Sequence, residues 1–145
     1  FSVEDRMSFS RPSTLGPLNT KATHETLSQA ERLAPMWARH SKFSEQDLKI
    51  LASRHAMEAE EILNLENASV SSIWQLEALH ALQNTMCLNL RDFYLRRSPL
   101  FLAEKNNGMD LVNEIAPIFA ETANIEKEIE LLKSHIHHEM SWRFN

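Results

Sequence analysis

Two adjacent arginines, Arg96 and Arg97, follow a pair of aromatic residues and precede a short apolar run. Guanidinium groups bind phosphate through paired N–H donors, so an exposed Arg-Arg tip could contact a phosphate backbone. The alternative is two solvated charges on an ordinary loop. Residues 91–98 carry three arginines and one aspartate, a local charge of +2, whereas the whole chain has a formal net charge of −5. Any binding to a polyanion must therefore depend on this local charge.

A second set of polar side chains stands at the start of a predicted helix: Ser69, Ser71, Ser72 and Gln75. Ser69 has the side chain of a helix N-cap. Gln75 is the best candidate for contact with a nucleic-acid base, because its amide can pair with the edge of adenine. The alternative is that the serines only cap and solvate the helix.

Other residue types could support metal or redox chemistry. A metal site needs three or four converging ligands, and one helix face of the cluster His135, His137 and His138 supplies only two, so no metal or other cofactor is predicted. Cys87 has no basic residue immediately beside it, which favours a packed small side chain over a redox sensor. No glycine-rich phosphate loop, nucleophile elbow or metalloprotease helix occurs, so an enzyme is not expected.

The composition of the 145-residue chain favours helices around one modest core. Only two residues are glycine and five are proline, while 43% are hydrophobic and 24% are charged. No apolar run approaches the ~18 residues that span a bilayer, and the N-terminus lacks the pattern of a secretory signal. We therefore expect a soluble protein, and the single cysteine fits a reducing cytoplasm.

Apolar periodicity predicts four helices after an irregular arm at residues 1–22. Pro35 should bend or interrupt the first of them by removing a backbone donor. Ser44 and Asp47 resemble a capping pair at the start of the second. The predicted helices span residues 23–39, 44–55, 58–65 and 69–82.

A two-residue period replaces the helical period after residue 84. Every second residue between 85 and 90 is apolar, which predicts a half-buried strand, and residues 99–103 suit a second short strand. The predicted fold is therefore mainly α with a small two-stranded β-ribbon. Arg96 and Arg97 would lie at the tip of that ribbon.

A long helix is predicted from about Met109 onward, with apolar residues recurring at spacings of three and four. Such a seam over three heptads favours pairing with another helix, and we interpret it as the dimerisation helix of a homodimer. The alternative is packing on the first helix of the same chain. The predicted dimerisation residues are Ile118, Ile125, Ile129, Leu132 and Ile136.

Short helices followed by a ribbon give the element order of a winged helix-turn-helix, in which the helix after the turn enters the major groove. The stretch EEILNLENASVSSIWQLEALHAL, residues 60–82, resembles the helix-turn-helix of MarR-type transcriptional regulators through Ser69-Val70-Ser71 and Leu76-Glu77. The stretch RRSPLFLAEKNNGMDLVNEIAPIFAE, residues 96–121, is similar to that family's wing, second strand and following helix.

The resemblance implies a homodimeric transcriptional regulator that binds a pseudo-palindromic site in double-stranded DNA and responds to a small-molecule effector. It implies a winged helix-turn-helix at residues 44–105, flanked by dimerisation helices at residues 23–43 and 106–145. Trp37 and Trp74 are the candidates for an effector pocket. The DNA-binding residues would be Ser69, Ser71, Ser72, Gln75, Arg91, Arg96 and Arg97.

Two alternatives stay open. Residues 44–105 contain six basic and nine acidic residues, a net charge of −3, and Ser72 stands where the family often has a basic residue. These features favour a dimer of the same fold that no longer binds DNA and serves as a protein-interaction module. The histidine cluster would instead suit a helical metal-binding or small-molecule-binding protein.

Overall fold

The computed structural model describes residues 20–143, in which every regular element is a helix and no β-strand forms. The chain divides into two compact units, the first ending at Glu60 and the second beginning at Glu61. The predicted irregular arm lies outside the described residues as far as residue 19, and the first helix begins at Thr20.

The first unit contains helices α1 (Thr20–Ala38) and α2 (Glu45–His55), which pack against each other. The predicted capping pair is confirmed: the Ser44 hydroxyl accepts the Asp47 N–H at 3.1 Å, and the Asp47 carboxylate accepts the Ser44 N–H at 3.2 Å. Pro35 lies in the last turn of α1 without ending the helix. The buried apolar residues of this unit are Ala30, Ala34, Trp37, Phe43, Leu48, Leu51, Ala52 and Ala59.

Short and partly irregular helices precede one long helix in the second unit. Helix α3 (Glu58–Leu63) crosses the boundary between the units. The later elements are α4 (Ile73–Asn84), α5 (Leu90–Asp92), a π-helical segment Phe93–Arg97, α6 (Leu100–Ala103), a 3-10 segment Lys105–Leu111, α7 (Val112–Ile115), a 3-10 segment Ala116–Phe119 and α8 (Ile125–Arg143). Aromatic rings form the centre of this core, where Phe93 lies 6.3 Å from Tyr94 and 6.0 Å from Phe119 between ring centroids.

The predicted two-stranded β-ribbon is wrong, although the mainly α fold is confirmed. Residues 85–89 form a loop, because the Asn89 side chain accepts the Asp92 N–H at 2.9 Å and begins a helix. The burial pattern is reversed at residues 86–88, where Cys87 is fully buried while Met86 is 84% exposed and Leu88 is 53% exposed. Pro99 precedes α6 instead of beginning a strand, and a helix start tolerates proline because its first N–H groups have no partner within the helix.

The predicted C-terminal helix does not run without a break from Met109. Residues 120–124 form a turn, after which the Asn124 side chain accepts the Lys127 N–H at 3.1 Å and begins α8. The five predicted dimerisation residues pack on the apolar core of their own unit, with Leu132 and Ile136 buried and the other three partly buried. Because its own chain covers this seam, pairing with a second copy stays a prediction.

Candidate functional site

Two arginines pair with one aspartate at the π-helical segment. Asp92 Oδ1 lies 3.7 Å from Arg96 Nη1, and Asp92 Oδ2 lies 3.6 Å from Arg97 Nε. In an α-helix the residues three and four positions on share a face with Asp92, whereas the wider π-helical turn also places the fifth position, Arg97, on that face. The Ser98 hydroxyl donates to the Phe93 carbonyl at 3.0 Å and satisfies an acceptor at this irregular end.

A third arginine connects this segment to the last helix. Arg91 Nε lies 3.5 Å from Glu128 Oε2 on α8, and Glu128 is 9% exposed. The Asn89 cap fixes the start of the helix that carries Arg91. The pair therefore connects α5 with α8, which form two walls of a cleft.

An open cleft of about 450 Å³ lies between these elements, and we call it the arginine cleft. Its lining consists of Asn89, Arg91, Asp92, Leu95, Arg96 and His135. Around it, three arginine charges stand against the carboxylates of Asp92 and Glu128, which leaves a local charge of +1. The cleft is thus locally basic in an acidic chain.

Gln75, the predicted base-reading residue, is held inside the chain. Its Oε1 accepts the Ser71 N–H at 2.7 Å, and its Nε2 donates to the Glu114 carbonyl at 2.8 Å. Ser72 is the N-cap of α4: its hydroxyl accepts the Gln75 N–H at 3.2 Å and donates to Glu114 Oε1. Both ends of the Gln75 amide therefore have partners before any base could approach.

Helix α4, the predicted recognition helix, has almost no open face. Of its twelve residues only Gln83 and Asn84 are exposed. Ser69 lies before the helix, in a turn where its N–H donates to Asn67 Oδ1 at 2.9 Å. A helix that reads the major groove needs a solvent-facing side, which α4 has only at its last two residues.

The two predicted effector-pocket tryptophans belong to different units. Trp37 is 7% exposed in the first unit, and its Nε1 is buried without a hydrogen-bond partner among the described residues. Trp74 is partly buried against the core of the second unit. Neither residue lines the arginine cleft.

The histidine cluster does not assemble a metal site. His135, His137 and His138 are all exposed on α8. Between residues 20 and 143, no three histidine, cysteine, aspartate or glutamate side chains converge as metal ligands would. Only His135 takes part in the arginine cleft.

No family model, curated protein or solved structure matches this chain. The likeness to MarR-type regulators therefore rests on the residues quoted above alone, and the described chain lacks the ribbon that would form the wing. No helix within residues 20–143 combines the length and the apolar character needed to cross a membrane.

The arginines are evident in the sequence, whereas their partners Asp92, Glu128 and His135 are not. One signal was present, because Asn89 and Asp92 have the same cap spacing as Ser44 and Asp47 and mark a helix start. No short sequence pattern predicts the π-helical turn or the position of His135 beside Arg91 and Arg96. They depend on how the second unit packs.

The buried Cys87 thiol should make stability depend on pH in the alkaline range. Burial first, and then the Asp92 carboxylate, raise the pKa of this thiol from 9.0 to about 11. The unfolded chain therefore loses its thiol proton first, and the stabilising effect, fully present below pH 9, is lost as the pH rises through 11. We expect the native chain to lose about 1–3 kcal/mol more stability than Cys87→Ala between these pH values, as measured by urea unfolding.

The comparison with Cys87→Ala isolates this thiol from Tyr94, whose pKa is also raised by burial and by nearby Glu114. Tyr94 contributes equally to both proteins. Parallel stability curves for the two proteins would show that the Cys87 thiol ionises alike in the folded and unfolded chains.

Proposed function

We propose that this chain is a non-catalytic binding protein whose second unit takes a phosphate-bearing small ligand in the arginine cleft. The observation that carries the proposal is the presence of Arg91, Arg96 and His135 on the wall of one cleft of about 450 Å³. This volume lies in the range of small-molecule sites, ~300–1,000 Å³. Guanidinium groups present paired donors that match the geometry of phosphate oxygens.

The ion pairs around the cleft leave the arginines available to a ligand. The three N–O separations are 3.5–3.7 Å, longer than good charge-assisted hydrogen bonds. The Arg96 side chain is 80% exposed, and exposed pairs contribute only about 0–1 kcal/mol to stability. Asp92 and Glu128 thus hold the arginines near the cleft without occupying their full donor capacity. A phosphate dianion can compete with such weak partners.

Double-stranded DNA is the second candidate source of the same phosphate chemistry. The exposure of Arg96 favours it, because a protruding arginine can reach a backbone phosphate. Base reading by Gln75 has no such support, since the amide already has partners in the chain. On this candidate, binding would be independent of sequence and would weaken steeply with salt.

Calorimetric titration of the full chain with pyrophosphate tests the proposal. We expect saturable binding that Arg96→Gln weakens about tenfold and that Arg91→Gln with Arg96→Gln weakens about a hundredfold, because each variant removes charge-assisted hydrogen bonds. Arg96→Gln is the more informative variant. Loss of Arg91 in the double variant leaves the nearly buried Glu128 carboxylate unpaired and could also change stability. Circular dichroism checks the fold of both variants.

A charge-matched control is the double variant Lys105→Gln with Lys133→Gln, which changes two exposed cations outside the cleft. It should alter pyrophosphate affinity by less than about twofold at ~0.15 M salt, where exposed charges outside the cleft are largely screened. An equal loss in this control, or no saturable binding, would overturn the proposal. Retention of a random duplex without pyrophosphate binding would favour the DNA candidate instead.

A further inference from the structure

An exposed tryptophan extends the surface that begins at the arginine cleft. Trp142 is 76% exposed near the end of α8, and its ring meets the His138 ring edge to face, with centroids 6.4 Å apart. A large aromatic ring so open to water has most of one face available for contact with a ligand. His138 supports that ring from the side that leads back along the helix.

The spacing along α8 places these rings on the same flank as the cleft. His135, His138 and Trp142 are separated by three and four residues, so they follow one side of the helix. His135 lines the arginine cleft, and the helical rise of about 1.5 Å per residue puts Trp142 ~10 Å further along the axis. Glu128, which pairs with Arg91, precedes His135 by two turns on this flank.

We infer that the ligand is a nucleoside monophosphate, with its phosphate in the arginine cleft and its base stacked on Trp142. The inference rests on the proposed function, because it uses the same arginines for the phosphate. A nucleoside monophosphate has a phosphate group and a flat base joined by one sugar. The phosphate would lie in the cationic cleft, the sugar beside His138 and the base on the ring of Trp142. Every base has a π face, so stacking on one ring selects for nucleotides as a class without choosing among the bases.

The two ends of the surface have different chemical preferences, which makes the inference separable from the proposed function. The cleft supplies charge and donors, and any phosphate ester satisfies them. Trp142 supplies only an aromatic face, which a sugar phosphate does not use. A ligand with both groups should therefore bind more tightly than a ligand with either group alone.

Titration of the full chain with AMP, ribose 5-phosphate and adenosine tests the inference by calorimetry. We expect AMP to bind about tenfold more tightly than ribose 5-phosphate, and adenosine to bind more weakly than both. Trp142→Ala should remove the advantage of AMP and leave ribose 5-phosphate affinity unchanged. Trp142→Phe should keep most of the advantage, because the aromatic face remains. AMP should also quench the fluorescence of the exposed Trp142.

The outcomes separate the two claims. Equal affinity for AMP and ribose 5-phosphate overturns the nucleotide assignment and leaves the proposed phosphate site standing. Absence of binding by all three ligands, together with the absence of pyrophosphate binding, overturns both. Adenosine binding as tight as AMP binding, with an AMP affinity that Arg96→Gln does not change, also overturns the phosphate site and the assignment that depends on it. An unchanged AMP advantage in Trp142→Ala overturns stacking on this ring.

Discussion

Leu100→Ala is expected to lower the free energy of unfolding by about 2–5 kcal/mol, whereas Leu102→Ala is expected to change it by less than about 0.5 kcal/mol. Leu100 is fully buried and Leu102 is 77% exposed, because two positions on helix α6 point in different directions. On a strand, residues two positions apart lie on the same face, so both leucines would be buried to a similar extent and both substitutions would cost a similar free energy. Urea unfolding followed by circular dichroism measures the difference directly.

The two leucines form a matched pair of the same residue type within one short segment. Both variants remove the same atoms, so a difference between them reports burial and not helix propensity or side-chain chemistry. Similar losses for Leu100→Ala and Leu102→Ala would indicate that residues 99–103 are extended. That result would contradict the helical geometry that separates these two positions.

The helices of the first unit were predictable because their signals are local. Ser44 and Asp47 satisfy the backbone of the same helix turn, so their spacing alone fixes where α2 begins. The periodic apolar stripe of α1 was likewise visible in the sequence, and helix 23–39 differs from Thr20–Ala38 mainly at its first turn. A single proline near the C-terminal end changed little.

The ribbon failed because a six-residue alternation is a weak signal. Met86 and Leu88 are apolar side chains on a connecting loop, and the buried residue between them is Cys87. Burial there depends on contact with the core of the second unit, which alternation does not encode. The Asn89 side chain instead stabilises a helix start, because it accepts the Asp92 N–H, which has no partner within the first turn of the helix.

The seam of apolar residues from Ile118 to Ile136 was correct as a pattern of burial but wrong as one continuous helix. A turn of five residues lies inside it, and the apolar positions on both sides still face the same core. Periodicity therefore indicated which residues are covered without indicating what covers them. The same limit applies to the arginine cleft, whose lining joins residues about forty positions apart, such as Arg96 and His135.

Gly108→Ala is expected to lower the free energy of unfolding by about 2–4 kcal/mol, the sum of left-handed backbone strain and overpacking. Gly108 has a φ of +73°, and it ends a run in which Asn106 and Asn107 also have positive φ. A Cβ atom here would lie 3.2 Å from Leu100 Cδ2 and 3.2 Å from Tyr94 Cε1. Both neighbours are fully buried, so neither can move away freely.

The Gly108 carbonyl makes the same position important for polar reasons, because it accepts the buried Tyr94 hydroxyl at 2.9 Å. A shift of this backbone to relieve the clash would lengthen that hydrogen bond. Gly108→Ala therefore lowers stability either through the clash itself or through the weakened Tyr94 hydrogen bond. The control is Asn106→Gly. It relieves the backbone strain of a non-glycine residue with positive φ and removes only an exposed hydrogen bond to Asp110. Its free energy of unfolding should stay within about 1 kcal/mol of that of the native chain. Equal stability of Gly108→Ala and the native chain in urea unfolding would show that the Tyr94 and Leu100 side chains do not enclose this turn as described.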